Sequence, residues 1–236
     1  MRGVLVIGAG GLGSSVLPLL ARAGVPLVLL DDDVVSLSNL QRQLLFRTED
    51  IGRPKVEAAA ARLRELAPGV QVAPRRERLT TENALALVSG ARLVVDGSDN
   101  FATRFLANDA CVLSGTPLVH GGILRFTGQV LSVLPGATAC YRCLFEAPPP
   151  EGSVPSCAEA GVLGALCGMV GSWMAEAALR ILAGEAPRPG LLVYDALDGR
   201  VRRVGLGRDP GCAVCGDAPA IARLDPAHYL APSCAV

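Results

Sequence analysis

Cys140-Tyr-Arg-Cys143 and Cys212-Ala-Val-Cys215 carry the clearest chemical signal in the chain. Each pair has the Cys-x-x-Cys spacing with which two thiolates grip one metal ion from a tight turn. Together they supply the four ligands of a tetrahedral Zn²⁺ site. Two redox dithiols, or reduced cysteines placed by chance, are the competing readings, and the repeated spacing favours one shared ion. A second group of residues suits anion chemistry. Gly8-Ala-Gly-Gly-Leu-Gly13 follows a short apolar run, and glycines there let backbone approach a phosphate at the positive end of a helix. Asp31 closes the next apolar run, where a carboxylate can accept both hydroxyls of a ribose. Taken alone, this glycine pattern points by default to NAD or FAD.

The elements that would position these groups alternate. Val4–Ile7 reads as a strand, the segment from the glycine turn to about Ala23 as a helix, and Leu27–Leu30 as a strand, which makes a βαβ unit. Lys55 to about Leu66 reads as an alanine-rich helix opened by Gly52-Arg-Pro54 and stopped by Pro68-Gly69, and 82–89 as a short helix. Leu93–Val95 and Pro117–His120 read as further strands. In such open sheets functional groups collect at the C-terminal strand ends, so Asp31 and Asp99 should face one crevice. Gly128–Leu134 reads as a strand with a hairpin partner, Pro148–Pro155 as a mobile proline-rich loop, and Val162–Leu182 as a long helix. Strands near 191–194 and 201–206 lead into the second cysteine pair. The expected fold is α/β: a doubly wound, Rossmann-like, mostly parallel sheet with a mixed or antiparallel C-terminal part and a four-cysteine zinc site.

Composition narrows the class further. A length of 236 residues suits one large α/β domain or two small ones; a single domain over 1–216 and a C-terminal tail over 217–236 are expected. Twenty-two basic residues balance 22 acidic ones, so no electrostatic excess recommends a nucleic acid partner. The N-terminus runs straight into a strand-and-glycine pattern and does not read as a signal peptide. The apolar stretch around 160–184 is broken by glycines, Glu176 and Arg180, and reads as a buried helix rather than a membrane span. Eight cysteines without a secretion signal suggest a reducing, cytoplasmic setting in which metal or thiol chemistry prevails over disulfides.

Several segments, in order, resemble the ThiF/MoeB adenylyltransferases, relatives of ubiquitin-activating enzymes. They are Gly8-Ala-Gly-Gly-Leu-Gly13, Asp31-Asp-Asp33, Ser36-Leu-Ser-Asn39-Leu-Gln-Arg42-Gln and Gly52-Arg-Pro-Lys55-Val-Glu. Asp96-Gly-Ser-Asp99-Asn, both cysteine pairs and Cys157-Ala-Glu-Ala-Gly complete the series. The resemblance displaces the dinucleotide default. It implies an enzyme that uses ATP and Mg²⁺ to adenylate the C-terminal glycine of a small ubiquitin-like sulfur carrier of ThiS or MoaD type, ending in Gly-Gly, and that works as a homodimer. The setting would be thiamine, molybdopterin or related sulfur transfer.

Residue by residue, the resemblance implies nucleotide contacts for Gly8, Gly10, Gly11, Asp31, Asp33, Ser38, Asn39, Arg42, Lys55, Asp99 and Asn100. Arg42 and Lys55 match the phosphate-binding pair, a planar fork beside a point charge. Asp99 matches the Mg²⁺ ligand, a hard oxygen for a hard cation. Cys157 matches a reactive cysteine that can link covalently to the activated carrier. Considered singly, Arg42 or Lys55 would read as a solvated charge and Asp99-Asn100 as a helix N-cap. His120 reads as a core or rim histidine, and Cys111 and Cys167 as packing residues. Members of the family carry an N-terminal arm that lends an arginine to the partner's ATP site; Met1-Arg-Gly3 before the first strand offers no match for it. An NAD-dependent oxidoreductase and a non-catalytic carrier-binding scaffold remain the alternative functions.

Overall fold

A computed structural model describes residues 3–150, 152–154 and 160–230. Strand β1 (Val4–Ile7) is apolar throughout and buried on both faces, as a central parallel strand requires. Around it, β2 (Leu27–Leu30), β3 (Val72–Arg75), β4 (Leu93–Asp96) and β5 (Leu118–Leu124) pair in parallel, in the order β3-β2-β1-β4-β5. Strands β6 (Thr127–Val133), β7 (Leu191–Asp195) and β8 (Arg200–Val204) then extend the sheet antiparallel, as expected of its C-terminal part.

Alternating side chains feed two cores. Val4 and Val6 point with Leu27, Leu29 and Val95 into one, covered by α1 (Gly11–Arg22), α2 (Lys55–Leu66) and α6 (Gly164–Leu182). Leu5, Ile7 and Val94 point into the other, covered by α3 (Ala84–Ser89), α4 (Phe101–Ser114) and the short α5 (Tyr141–Leu144). By length and composition α6 could cross a membrane. It lies instead against α1 and the sheet, burying Leu166, Val170, Met174 and Ala178. Gly171 makes the approach to α1 close: a Cβ there would sit 2.5 Å from the Cβ of Ser15.

Strand β3 and the short α5 were not foreseen by the periodicity, and α4 was signalled only by the N-cap reading of Asp99-Asn100. Strand β3 is an edge strand with a single buried residue and Pro74 within it, so it shows neither alternation nor an apolar run, and proline's missing donor is tolerated at an edge. Helix α4 buries Arg104, Asn108 and Asp109, polar residues that conceal its inward face from a hydrophobic count. Beyond residue 216, Ile221 and Tyr229 are buried in the second core and Leu224 packs against it.

Candidate active site

The strand order reverses between β1 and β4, and the loops leaving the two strands separate there to open a crevice. A cleft of about 450 Å³ occupies it. The glycine turn forms its floor. Gly8 has φ +89, and a Cβ on Gly13 would collide with the carbonyl of Gly8; only glycine lets the turn fold back tightly enough to start α1 at residue 11. A Cβ on Gly11 would lie 2.8 Å from Sγ of Cys167 on α6.

Asp31, Asp33, Asn39, Arg42, Lys55, Asp99 and Asn100 join Gly8, Gly10 and Gly11 in lining this one cleft. Ser38 does not line it; it is exposed, with its hydroxyl 3.1 Å from that of Ser36. Cys157 lies outside the described residues. Among the expected packing cysteines, Cys111 is fully buried in the second core, whereas Cys167 is buried but forms part of the cleft wall.

The Asp31 carboxylate spans two loops. One oxygen accepts from the Ala9 N–H at 2.7 Å, the other from the Asp33 N–H at 2.9 Å. Burial raises its pKa above the ordinary carboxylate value, against the opposing pull of Lys55 and these two N–H donors. Each oxygen retains a second lone pair for a ligand. Lys55 opens α2 and is almost wholly buried, with Nζ 2.8 Å from the exposed Asp33 carboxylate. A polyanion entering the cleft would compete for this ammonium. Among the described residues the Arg42 guanidinium donates only to the Ser38 carbonyl, at 3.3 Å, and has no carboxylate partner. Asn100 caps α4, its side chain accepting from Thr103 N–H at 2.9 Å, so the N-cap reading and a place in the cleft hold together.

Sequence reasoning missed Gln43, Arg78 and Arg104, which also line the cleft. Arg78 pairs with Asp32 at 2.6 Å across its rim. Buried Arg104 donates from Nε and Nη2 to the Ser98 carbonyl at 3.3 and 3.1 Å. Its position five residues after Asp99 was legible only once α4 was known to begin between them. Gln43 presents a buried Oε1 with no hydrogen-bond partner among the described residues, an acceptor for a donor on a ligand.

The cysteine pairs converge against the second core, where Cys140 and Cys212 are buried. All four Sγ atoms lie within 4.8 Å of one another. The Cys140–Cys212, Cys140–Cys143 and Cys143–Cys215 separations are 3.7, 3.9 and 3.4 Å. A tetrahedron with Zn–S bonds of about 2.3 Å has edges of about 3.8 Å, whereas a disulfide needs about 2.05 Å. Burial and the neighbouring thiols push Cys140 far up, and burial with Cys143 pushes Cys215 up to about 12, a penalty on thiolates that a bound divalent cation would offset. The Asp209 N–H points at Sγ of Cys143 from 3.4 Å. The residues present therefore fit a zinc ion. Arg142, between the first pair, clamps the knuckle to α4, donating from Nε and Nη2 to buried Asp109 at 2.9–3.0 Å.

A glycine-floored cleft at the switch point of a doubly wound sheet, with cations facing carboxylates, defines a nucleotide-binding α/β protein. Residues 2–214 match the ThiF family, and the chain belongs to it. It is an adenylyltransferase. The chain is 53% identical over 224 residues to the sulfur carrier protein adenylyltransferase of Thermus thermophilus, covering 92% of this chain and 83% of that one. It is 46% identical over 236 residues to the SAMP-activating enzyme E1 of Haloferax volcanii, covering 99% and 86%. Adenylyltransferase and sulfurtransferase MOCS3 of Sus scrofa is 47% identical over 225 residues, covering 94% of this chain and 50% of its own length. Among solved structures, E. coli MccB shares the fold with a TM-score of 0.81 at 22% identity, covering 92% of this chain and 67% of that one.

Proposed function

We propose that the cleft binds ATP with Mg²⁺ and that the protein adenylates the C-terminal glycine of a small ubiquitin-like sulfur carrier of ThiS or MoaD type. The observation that carries this reading is the convergence of Asp31, Arg42, Lys55 and Asp99 on one cleft above the glycine turn. The names of the relatives from Thermus thermophilus and Haloferax volcanii support the carrier class. Thiamine, molybdopterin or related sulfur transfer in the cytoplasm is the expected setting, with a homodimer as the working unit.

In this scheme Asp31 accepts the ribose hydroxyls through its spare lone pairs, beside the apolar wall of Leu30 and Leu79. Lys55 leaves Asp33 for the triphosphate, and Arg42 adds a bidentate contact. Asp99, exposed at the mouth of the cleft, would hold Mg²⁺, which supplies charge neutralisation on the phosphates. The carrier carboxylate is already ionised, so no general base is needed. Its oxygen forms a bond to the α-phosphorus while the bond to the bridging oxygen breaks, and that electron pair leaves with pyrophosphate. Arg42 and Lys55 stabilise the charge that builds on the leaving group. Cys140, Cys143, Cys212 and Cys215 would hold a structural Zn²⁺ away from this chemistry.

ATP–pyrophosphate exchange that appears only with a Gly-Gly-ended carrier is the expected result. Tight carrier binding without exchange would replace the enzyme by a scaffold, and reduction of NAD by a hydroxylated substrate would revive the dinucleotide reading. The Cys157 thiolate would attack the carbonyl of the carrier's acyl-adenylate, forming a thioester as the carbonyl–oxygen bond to AMP breaks and AMP leaves with that electron pair. Cys157→Ala should then keep exchange while sulfur transfer or covalent conjugation falls; loss of exchange in a folded variant would reverse that assignment.

A further inference from the structure

Beneath the Asp99 end of the cleft lies a buried polar pair that neither lines the cleft nor touches the cysteine sulfurs. His120 on β5 and Asp96 on β4 are cross-strand neighbours in the parallel register, 2% and 0% exposed. Nδ1 of His120 stands 2.9 Å from Oδ2 of Asp96. The other carboxylate oxygen accepts the Ser98 N–H at 2.9 Å. The chain then passes directly into Asp99 and Asn100.

We propose that His120 is a positioning residue for nucleotide binding: as a neutral Nδ1–H tautomer it fixes Asp96, and through Asp96 the turn that presents Asp99 to the cleft. The tautomer follows from the partners. An ionised Asp96 can only accept, so Nδ1 carries the proton. Nε2, buried without a hydrogen-bond partner among the described residues, is then a bare lone pair, which costs less than an unmet N–H or a buried imidazolium. Burial lowers the His120 pKa against the pull of Asp96, with Arg104 adding to the lowering. Burial would raise Asp96, but His120 and the Ser98 N–H hold it below the ordinary value.

The turn has little freedom to move independently of the carboxylate. The Gly97 N–H is bound to the Ile7 carbonyl at 2.9 Å, and the Ser98 carbonyl takes both Arg104 donors. Gly97 also packs on the glycine turn, where a Cβ would lie 3.1 Å from that of Leu12. The imidazole is held in turn by the Tyr141 ring, with centroids 4.8 Å apart at 66°. A shift of Asp96 would therefore be felt at Asp99, at Arg104 and on the floor of the cleft together.

This inference rests on the reading that the cleft takes Mg–ATP, and three measurements separate the two. The chain has only two histidines, so ring nitrogen NMR of the intact protein can assign His120. A neutral Nδ1–H ring whose resonances shift on addition of Mg–ATP is expected; an Nε2–H tautomer, an imidazolium or an unresponsive ring overturns the inference. His120→Leu should weaken Mg–ATP binding on the order of tenfold, the scale of one hydrogen bond to a charged group. His120→Asn, whose amide can donate to Asp96, should recover most of that loss. Equal binding by His120→Leu and wild type, or no recovery by His120→Asn, overturns the positioning role. Failure of the wild-type protein to bind Mg–ATP would instead overturn the functional reading, and the ring tautomer would still decide the hydrogen-bond assignment.

Discussion

The nucleotide cleft and the cysteine knuckle are both built from polar and ionisable groups, yet they are held in opposite ways. In the cleft the partnerships are provisional. Lys55 is buried but faces an Asp33 that is 62% exposed, the Arg42 guanidinium meets only a carbonyl among the described residues, and Asp99 and Asn100 are exposed. In the knuckle they are closed. Arg142 and Asp109 are 4% and 0% exposed, and the Arg142 guanidinium also donates to the carbonyls of Glu146 and His228. The Asn108 side chain takes the Tyr141 N–H at 2.8 Å. A site that must exchange its partners for a substrate keeps its charges near water, whereas a site that only holds chains together can bury them in full pairs. The first arrangement leaves binding energy for a ligand; the second converts it into stability.

Substitutions at the two sites should therefore separate stability from chemistry. The largest effect is expected for Cys212→Ser or for chelation of the metal. Ion binding is coupled to folding, so the melting temperature should fall by more than about 10 °C with loss of stoichiometric zinc. A chelator-treated protein with unchanged melting and bound zinc absent would remove the metal from the comparison. Asp109→Ala comes next. It strands a buried guanidinium and should cost about 3–5 kcal/mol in denaturant unfolding, while any protein still folded keeps its affinity for Mg–ATP. Lys55→Ala should show the opposite profile. Pyrophosphate exchange should drop on the order of 10²–10³-fold, with little change in melting, because the Asp33 it abandons is already solvated.

The smallest effect concerns Asp31, whose carboxyl is raised above the ordinary value, first by burial. A raised carboxyl holds its proton more tightly in the folded than in the unfolded chain, so ionising it costs stability. That cost is absent below the ordinary carboxylate value and grows as pH rises through the raised one. Asp31→Asn should accordingly gain in melting temperature relative to wild type as pH is raised through this window, while binding nucleotide less well. A melting difference that runs the other way with pH would show that the two N–H donors and Lys55 outweigh burial.

Legibility in the sequence followed how local each signal was. The strands β1, β2 and β4 and the helices α1 and α2 were readable from continuous apolar runs, a glycine turn and a Pro-Lys opening, all of which act over a few residues. Strand β3 was not, since its pairing with β2 supplies what its own Val-Ala-Pro-Arg lacks. The inward face of helix α4 was hidden because Arg104, Asn108 and Asp109 are polar, and only the fold buries them against the Ser98 carbonyl, the Tyr141 N–H and Arg142. Arg104 and Gln43 were missed in the cleft because neither belongs to a spacing that chemistry alone would single out.

What the sequence determined by itself was the set of chemical parts. Two Cys-x-x-Cys pairs, a glycine turn after a strand, and a series of carboxylates and cations in family order pointed to a candidate metal site and a candidate nucleotide site. Asp31 and Asp99 were expected to face one crevice; only the tertiary structure decided that Arg42 and Lys55 line it with them while Ser38 stands outside it. It also brought four sulfurs to tetrahedral separations and locked His120 onto Asp96 beneath the Asp99 turn. Ligand spacing and turn chemistry are local and are written in the order of residues. Convergence depends on strand order and on which faces two cores bury, and those are set only when distant segments pack together.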